Sequence, residues 1–147
     1  MKEIKFYEAE DAYGYFSNFA LYAIRLKGKT WPTSEHYYQA QKVAETDWEE
    51  KIRLCTTPKE AFDMTRLPEF PERADWTAIK DEVMYEAVYA KFTQHDALRS
   101  KLLDTGEAVL IENSPVDYYW GCGSDGTGKN MLGRTLMSIR KVLKDQA

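Results

Sequence analysis

Residues 31–42, Trp-Pro-Thr-Ser-Glu-His-Tyr-Tyr-Gln-Ala-Gln-Lys, define where one helix starts and which side chains share each of its faces. The hydroxyl of Thr33 or Ser34 is suited to cap the first turn, and Pro32 prevents the helix from extending backward. Steps of three and four residues give one face with Tyr37, Ala40, Gln41 and Ala44 and another with Glu35, Tyr38, Gln39 and Lys42. The pattern therefore places an acid and a base two turns apart on one wall of a helix.

The residues alone leave two interpretations of Glu35 open. A carboxylate in the first turn complements the helix dipole and stabilises a helix by about 0.3 to 1 kcal/mol. A carboxylate on the same face as a lysine is also a candidate for acid–base or electrostatic catalysis. The position in the helix does not decide between the structural and the catalytic interpretation.

Strands are predicted on the N-terminal side of this helix. Alternating apolar residues predict one strand over 4–7 and another over 22–27. Gly28 supplies a turn, after which the chain returns through Thr30 and Trp31. A small hairpin is therefore expected to lead directly into the helix that carries Glu35.

Helix signals dominate the sequence after residue 44. The predicted elements are a helix capped by Asp47, a helix capped by Thr57, a long helix opened by Asp75 and Trp76 that runs to Phe92, a short helix over 97–103, a buried strand over 108–111 and a final helix from Asn130. The spacing of the final helix turns Leu132, Leu136, Ile139 and Leu143 inward. Residues 113–129 form one long irregular loop. The elements predict a mainly helical α+β domain, single and compact over 1–147, with several short helices around a small sheet.

Composition and charge narrow the classes of partner. The chain of 147 residues with 44% hydrophobic content is sufficient for one core. A net charge of −4 argues against sequence-blind binding of nucleic acid, although a small phosphorylated ligand is compatible with it. The N-terminus lacks the apolar segment of a signal peptide, and no stretch is long and apolar enough to span a membrane. We therefore expect a soluble, cytoplasmic protein with no membrane partner.

No metal site or cofactor is expected from the residue spacing. Cys55 and Cys122 are far apart and belong to no metal-binding pattern, so free thiols are predicted. His36 and His95 are isolated histidines, for which structural or surface positions are expected.

A glycine-rich segment precedes the final helix. Residues 123–130, Gly-Ser-Asp-Gly-Thr-Gly-Lys-Asn, resemble a nucleotide phosphate loop, but Asn130 replaces the hydroxyl residue that would hold Mg²⁺. A nucleoside triphosphatase is therefore not expected. Free amides of Gly128, Lys129 and Asn130 at the helix start are suited to a ligand phosphate. The alternative is a flexible turn with a lysine in solvent.

Two tryptophans are candidates for stacking on a flat ligand. Trp120 lies in the irregular loop beside Asp117, Tyr118 and Tyr119, where it is either packed on the core or exposed to a ligand. We predict a stacking surface for Trp120. Trp76 at a helix start has the same two interpretations, and packing is favoured for it.

Motifs spread over nearly the whole chain resemble the YbiA-like group of the NADAR superfamily. The longest is the block 31–42 described above. The others, in the same order as in the family, are Phe16-Ser17-Asn18-Phe19, Ala74-Asp75-Trp76, Val83-Met84, Lys91-Phe92, Thr105-Gly106, residues 112–117, Trp120-Gly121, Asn130-Met131-Leu132-Gly133 and Leu136-Met137. The stretch from Thr65 to Arg73 is less typical of the group.

The resemblance implies an N-glycosidase that acts on ribosylated bases without a metal or other cofactor. Enzymes similar to this one remove ribose phosphate from early riboflavin-pathway intermediates, and relatives remove ADP-ribose from guanine. The implied partner is a small phosphorylated ribosyl substrate, and nucleic acid is expected only as an ADP-ribosylated base. The catalytic candidates are Glu35, Asp117 and Lys42, and the substrate-binding candidates are Asn18, Phe19, Trp76, Trp120, Gly121, Lys129 and Asn130.

The expected chemistry assigns different tasks to these candidates. Cleavage of a ribosylamine passes through an oxocarbenium-like or ring-opened cation. Glu35 is expected to stabilise that charge while Asp117 handles the proton and the water. Lys42 is expected to act as an electrostatic partner, because a neighbouring Glu35 would raise its pKa. Formation of an imine by Lys42 is the weaker alternative, since it requires burial to outweigh the carboxylate and to lower the pKa far below its ordinary value.

Two rival functions remain open at this point. An ADP-ribosyl hydrolase would use the same acids and rings, and the sequence does not separate it from the first function. A non-catalytic nucleotide-binding module is disfavoured by the intact Glu35.

Overall fold

The structure, a computed structural model, describes residues 2–146 and is mainly helical. The six α-helices of this part of the chain are α1 (Ser34–Gln41), α2 (Asp47–Arg53), α3 (Pro58–Met64), α4 (Trp76–Gln94), α5 (Asp96–Asp104) and α6 (Met131–Gln146). Its four strands are β1 (Glu3–Phe6), β2 (Ile24–Leu26), β3 (Lys29–Trp31) and β4 (Val109–Glu112). The predicted α+β class is confirmed, and the predicted order of elements is also that of the structure.

The strands form two small sheets rather than the single sheet that was predicted. β2 and β3 are the antiparallel hairpin, with Ile24 opposite Trp31. Lys27 and Gly28 form its turn with φ values of 56° and 72°, a left-handed conformation that glycine adopts without strain. β1 pairs in parallel with β4, with Glu3 opposite Val109. Local sequence reveals a hairpin, whereas a parallel pair between distant segments has no local signal.

The chain divides into two compact units, residues 21–91 and residues 2–20 with 92–146. The first unit contains the hairpin, α1, α2, α3 and most of α4. The second contains the parallel strands, α5 and α6, and its buried residues include Phe6, Phe16, Leu110 and Leu136. In α6 the predicted inward positions Leu132, Leu136, Ile139 and Leu143 are all buried.

Two local predictions need correction. The cap of α2 is Thr46 and not Asp47, because the Thr46 side chain accepts a hydrogen bond from the Trp48 amide. Asp47 is the first residue of the helix. The strand predicted as buried over 108–111 is only partly buried: Leu110 is inaccessible, whereas Val109 and Ile111 are intermediate. Successive side chains of a strand point to opposite faces, so a strand with one buried face exposes alternate side chains.

Two other predictions, the free thiols and the cap of α3, agree with the structure. Cys55 and Cys122 are free thiols. Thr57 caps α3 by accepting from the Glu60 amide at 3.1 Å, and Pro58 stands in the first turn. Within residues 2–146, no helix has both the length and the apolar character that crossing a membrane requires.

A charged side chain near the C-terminal end of α4 is almost entirely removed from solvent. Lys91 in α4 is 1% exposed, and its Nζ lies 5.7 Å from the centroid of the Tyr22 ring. Burial lowers the pKa of Lys91 from its ordinary value of 10.5 to about 7. The folded chain therefore releases this proton at a lower pH than the unfolded chain does.

We predict that the free energy of unfolding rises with pH above about 7 because of Lys91. Between this pKa and 10.5, the unfolded chain holds the proton and the folded chain does not, so high pH favours the folded state. The slope from one such group is at most about 1.4 kcal/mol per pH unit. Urea unfolding of the Lys91→Met variant between pH 7 and 9 should show a smaller slope than that of the parent chain.

The exposed Lys59 provides a matched control for this measurement, because its side chain is 75% exposed. The Lys59→Met variant should retain the slope of the parent chain. Identical slopes for the parent chain and the Lys91→Met variant would contradict the assignment to Lys91.

Candidate functional site

The start of α1 is held by a chain of hydrogen bonds. The Thr33 hydroxyl accepts from the His36 amide at 3.1 Å and lies 2.8 Å from Nδ1 of the same histidine. Nε2 of His36 lies 3.0 Å from the Cys55 carbonyl oxygen, which can only accept, so Nε2 carries the proton. Burial lowers the pKa of His36 and favours this neutral form. The predicted cap is confirmed at Thr33, and His36 has a structural role.

Glu35 lies in the first turn of α1 and is buried, with 7% of its surface exposed. Its Oε2 accepts a hydrogen bond from Nε2 of Gln39 at 2.7 Å. This contact joins two residues of the face predicted from the three- and four-residue spacing. A buried carboxylate that accepts a hydrogen bond from an amide is favoured in its ionised form by that bond.

Lys42 is the C-terminal cap of α1, and its amine lies among aromatic rings. Nζ is 5.7 Å from the centroid of the Tyr38 ring and 5.7 Å from that of Trp76. The two rings meet edge to face at a centroid distance of 5.1 Å. Nζ also lies 4.0 Å from Oε1 of Glu72. The carbonyl oxygen of Lys42 accepts from the Arg73 amide at 2.9 Å, which fixes the segment before α4 against the end of α1.

The pKa of Lys42 moves in the direction opposite to the predicted one. Burial lowers this pKa, and the opposing effects of the Glu72 and Glu35 carboxylates are smaller. The charges of Arg66 and Lys80 lower it further. Glu35 raises the pKa of Lys42 as predicted, but removal of the ammonium from water outweighs this attraction. The net direction of the pKa shift is the one that an imine-forming lysine needs.

Trp76 is packed, as favoured from the sequence. It is 6% exposed and stands at the first position of α4. Its ring is held by Tyr38 and Lys42. A second role of Trp76 in stacking on a substrate base stays a prediction.

Asp117, in the other unit, holds its own loop together. Its Oδ1 accepts from the amides of Tyr119 at 2.9 Å and Trp120 at 2.8 Å. Its own amide donates to the Ser114 hydroxyl at 3.1 Å. The carboxylate is thus a turn-forming group, and its predicted role with the proton and water stays a prediction.

Trp120 is half-buried in this loop. Its ring meets that of Tyr119 edge to face, with the centroids 5.0 Å apart. Its backbone carbonyl accepts from the Leu132 amide at 3.0 Å, which ties the loop to the start of α6. Stacking of a base on Trp120 stays a prediction.

The expected free amides before α6 are already paired. Gly128 donates to the Cys122 carbonyl at 2.7 Å, Lys129 to that of Tyr118 at 2.9 Å and Asn130 to that of Gly121 at 3.0 Å. The prediction of an open phosphate-binding backbone is therefore wrong. The cause is the return of the loop 118–122 alongside the glycine segment, which local sequence does not indicate.

Asn130 has a structural explanation that the sequence analysis missed. It adopts φ of 55°, a left-handed conformation that asparagine tolerates well. Its Oδ1 accepts from the Glu112 amide at 2.9 Å, and its Nδ2 donates to the Leu110 carbonyl at 2.8 Å. The side chain thereby joins the start of α6 to β4. The exposed Lys129 has its Nζ 5.5 Å from the centroid of the Tyr119 ring. A phosphate contact through that amine stays a prediction.

The remaining candidates also belong to the unit formed by 2–20 and 92–146. Asn18 is 8% exposed and Phe19 is 37% exposed. Gly121 is buried, and a Cβ there would lie 2.9 Å from Cβ of Ser114 and 3.0 Å from the Asp117 carbonyl oxygen, so close packing favours glycine. The substrate contacts predicted for these three residues are untested. Within the unit 21–91, the structure groups Glu35, Lys42 and Trp76 around α1.

The family model described as the NADAR domain matches residues 5–144. The chain belongs to the NADAR family. It is 49% identical over 140 residues to the N-glycosidase YbiA of Escherichia coli, with 95% of this chain and 88% of that protein covered. The NMR structure of the same E. coli protein matches with a TM-score of 0.91 and 47% identity, covering 99% of this chain and 86% of that one. By this close homology the chain is an N-glycosidase, a hydrolase.

A second relative gives a metabolic context. The chain is 42% identical over 144 residues to the riboflavin biosynthesis protein VVA0006 of Vibrio vulnificus. The match covers 98% of this chain and 39% of that protein, so the NADAR domain corresponds to one part of a longer relative. The resemblance inferred from the motifs is confirmed by these comparisons.

Three residues that contact Glu35, Lys42 or Trp76 were not singled out as candidates. Tyr38 and Gln39 share the face of Glu35 in the helical pattern, so the spacing that identified Lys42 was sufficient to find them. Glu72 lies in a segment without periodicity before α4, and no sequence signal places it near Lys42. Among residues 2–146, no group of three or more His, Cys, Asp or Glu side chains is arranged to hold a metal ion.

We predict that Asp117→Ala and Asp117→Asn have different effects on stability. Asparagine keeps an oxygen for the amides of Tyr119 and Trp120, whereas alanine leaves both amides without that acceptor. The alanine variant should lose about 1 to 2 kcal/mol of unfolding free energy, as for a lost cap. Urea unfolding should show the asparagine variant within about 0.5 kcal/mol of the parent chain, as for substitutions that keep the contact.

The same pair of variants separates structure from chemistry at Asp117. If the negative charge acts on the substrate, the stable asparagine variant loses turnover. Equal stability of the two variants would contradict the loop-holding role.

Proposed function

We propose that this N-glycosidase hydrolyses the bond between a ribose phosphate and the amino group of an aminopyrimidine, as in early riboflavin intermediates. The central observation is a half-buried amine at the end of the helix that carries a buried carboxylate: partial burial lowers the pKa of Lys42, and Glu35 lies on the same face. Similarity to YbiA and to a riboflavin biosynthesis protein supports the class of substrate.

The proposed reaction begins with opening of the ribose ring of the glycosylamine to an imine at C1. The neutral amine of Lys42 adds to C1 and forms a new C–N bond. A proton passes to the nitrogen of the base, the bond from C1 to that nitrogen breaks, and the aminopyrimidine leaves. Water then adds to the remaining lysine imine, and ribose phosphate is released as the aldehyde with recovery of the amine. The net change is hydrolysis of one N-glycosidic bond.

Glu35 is proposed to stabilise the cation and to transfer the proton. Its carboxylate is oriented by Gln39 and is largely removed from water. An oriented charge in a site of low dielectric constant stabilises a developing cation more strongly than it would in water. Carboxylates that transfer protons in this way contribute about 100-fold to 10,000-fold to turnover.

Tyr38 and Trp76 are proposed to keep water from the amine and to support the cationic intermediate. Each ring centroid is 5.7 Å from Nζ of Lys42, within the range of a cation–π contact. Burial beside the rings favours the neutral amine before attack, and the ring faces attract the iminium after attack. The pair of rings therefore assists both steps.

An ADP-ribosyl hydrolase that acts on guanine is the alternative. A base linked through an exocyclic amino group would give the same imine, so Glu35 and Lys42 are compatible with both substrates. The riboflavin biosynthesis relative favours the aminopyrimidine.

Side-by-side assays test the proposed substrate. Purified protein should release free base from a ribosylaminopyrimidine phosphate faster than from ADP-ribosylated guanine, with the free base measured by chromatography. Faster release from the guanine substrate would replace the first function by the alternative.

The Glu35→Gln variant should remain folded and lose at least about 100-fold in kcat, because it lacks the charge and the proton. Near-normal turnover of a folded Glu35→Gln protein would remove Glu35 from the mechanism.

Borohydride added during turnover tests the covalent route. We expect reduction of the lysine imine to leave a ribose phosphate adduct on Lys42, located by mass spectrometry of peptides. The Lys42→Arg variant keeps the positive charge but cannot form the imine, so it should neither be labelled nor turn over. Full turnover with an unlabelled Lys42 would restore the purely electrostatic role inferred from sequence spacing.

A further inference from the structure

The Gln39 side chain differs from other buried amides of α1 in how its atoms are paired. It is 6% exposed, and its Nε2 donates to Oε2 of Glu35 at 2.7 Å. Its Oε1 is buried and has no hydrogen-bond partner among residues 2–146. Buried side-chain oxygens in folded proteins usually have a partner, so this acceptor is available to a group that is not part of the chain.

Gln41, two residues later, shows what a purely structural glutamine does in the same helix. It is 1% exposed, its Oε1 accepts from Nζ of Lys27 at 2.5 Å, and its Nε2 lies 3.4 Å from Oε2 of Glu49. Both ends of that amide are therefore paired within the chain. The orientation of the Gln39 amide is set by Glu35, because an ionised carboxylate accepts and the amide nitrogen is the donor.

We propose that Gln39 has two roles: Nε2 positions the Glu35 carboxylate, and Oε1 accepts a hydrogen bond from a donor next to the anomeric carbon, the 2-hydroxyl of the ribose. This inference rests on the proposed function, in which Glu35 acts at C1. The two atoms of one amide are close together, so a donor bound at Oε1 lies near the group that Glu35 contacts. The 2-hydroxyl is attached to the carbon next to C1. Hydrogen bonds to a 2-hydroxyl strengthen as charge develops in glycoside cleavage.

A double-mutant cycle tests the contact with the sugar. The parent chain and a Gln39→Met variant are each given a ribosylaminopyrimidine phosphate and its 2-deoxyribosyl analogue, and kcat/KM is measured for all four pairs. The preference for the ribosyl over the 2-deoxyribosyl substrate should be about tenfold greater in the parent chain, as for one lost hydrogen bond. The difference in reactivity between the two sugars cancels in this ratio. If the preferences of the parent chain and of the Gln39→Met variant lie within about twofold of each other, the contact with the 2-hydroxyl is overturned. The same result would be obtained if Oε1 instead accepted from a donor on the base.

The pH profile tests the positioning role. Loss of the Nε2 donor disfavours the ionised form of Glu35, so the acidic limb of kcat/KM should move to higher pH in the Gln39→Met variant. A merely structural role would lower stability without moving that limb. An unmoved limb in a folded variant would overturn the positioning role. If the methionine variant fails to fold, Gln39→Asn is measured in both experiments, because its shorter amide cannot reach both partners.

Gln41→Met is the matched control, since it removes a buried amide from the same helix. It should lower the melting temperature while keeping the parent preference for the ribosyl substrate and the parent acidic limb. Absence of base release from the ribosylaminopyrimidine phosphate by the parent chain would remove the proposed function itself. Base release by the parent chain that is lost in the Glu35→Gln variant, together with equal sugar preferences in the parent and Gln39→Met chains, would overturn only the contact at Gln39.

Discussion

The unit 21–91 depends on the burial of a polar helix. All eight residues of α1 are buried, and five of them are polar or charged: Ser34, Glu35, His36, Gln39 and Gln41. A buried polar group without a partner destabilises the folded state by about 1 to 3 kcal/mol. Partners on the surrounding elements of this unit, such as those of His36 and Gln41, therefore stabilise the helix.

Those partners also determine how the unit is assembled. His36 reaches the carbonyl of Cys55 after α2, Gln41 reaches Lys27 in the hairpin turn, and the Tyr37 hydroxyl donates to Oε1 of Glu86 in α4 at 2.8 Å. Each contact joins α1 to a different part of the unit. Burial, followed by the bond to Glu86, raises the pKa of Tyr37, so this phenol remains a donor at neutral pH. The network that stabilises α1 thus fixes the position of the wall on which Glu35 and Lys42 stand.

The sequence was sufficient to predict features that depend on neighbouring residues. The cap at Thr33, the hairpin turn at Gly28 and the apolar stripe of α6 each follow from side chains within one or two turns. The sign of the pKa shift at Lys42 was not predictable in this way, because burial depends on rings from α1 and α4 together. The paired amides around Asn130 were missed for a similar reason, since their acceptors lie in a loop several residues earlier.

The opposing influences on Lys42 explain why both aromatic rings and carboxylates surround one amine. Removal from water favours the neutral form, whereas Glu72 at 4.0 Å and the charge of Glu35 favour the ammonium. In the proposed reaction the nitrogen is neutral when it attacks and cationic once the imine has formed. Interactions that are stronger with the cationic intermediate than with the resting amine accelerate the reaction, whereas equal stabilisation of both would not. A half-buried amine near ring faces and a fixed carboxylate meets this requirement, because its partial burial destabilises the resting ammonium while the rings and Glu35 remain available to the iminium.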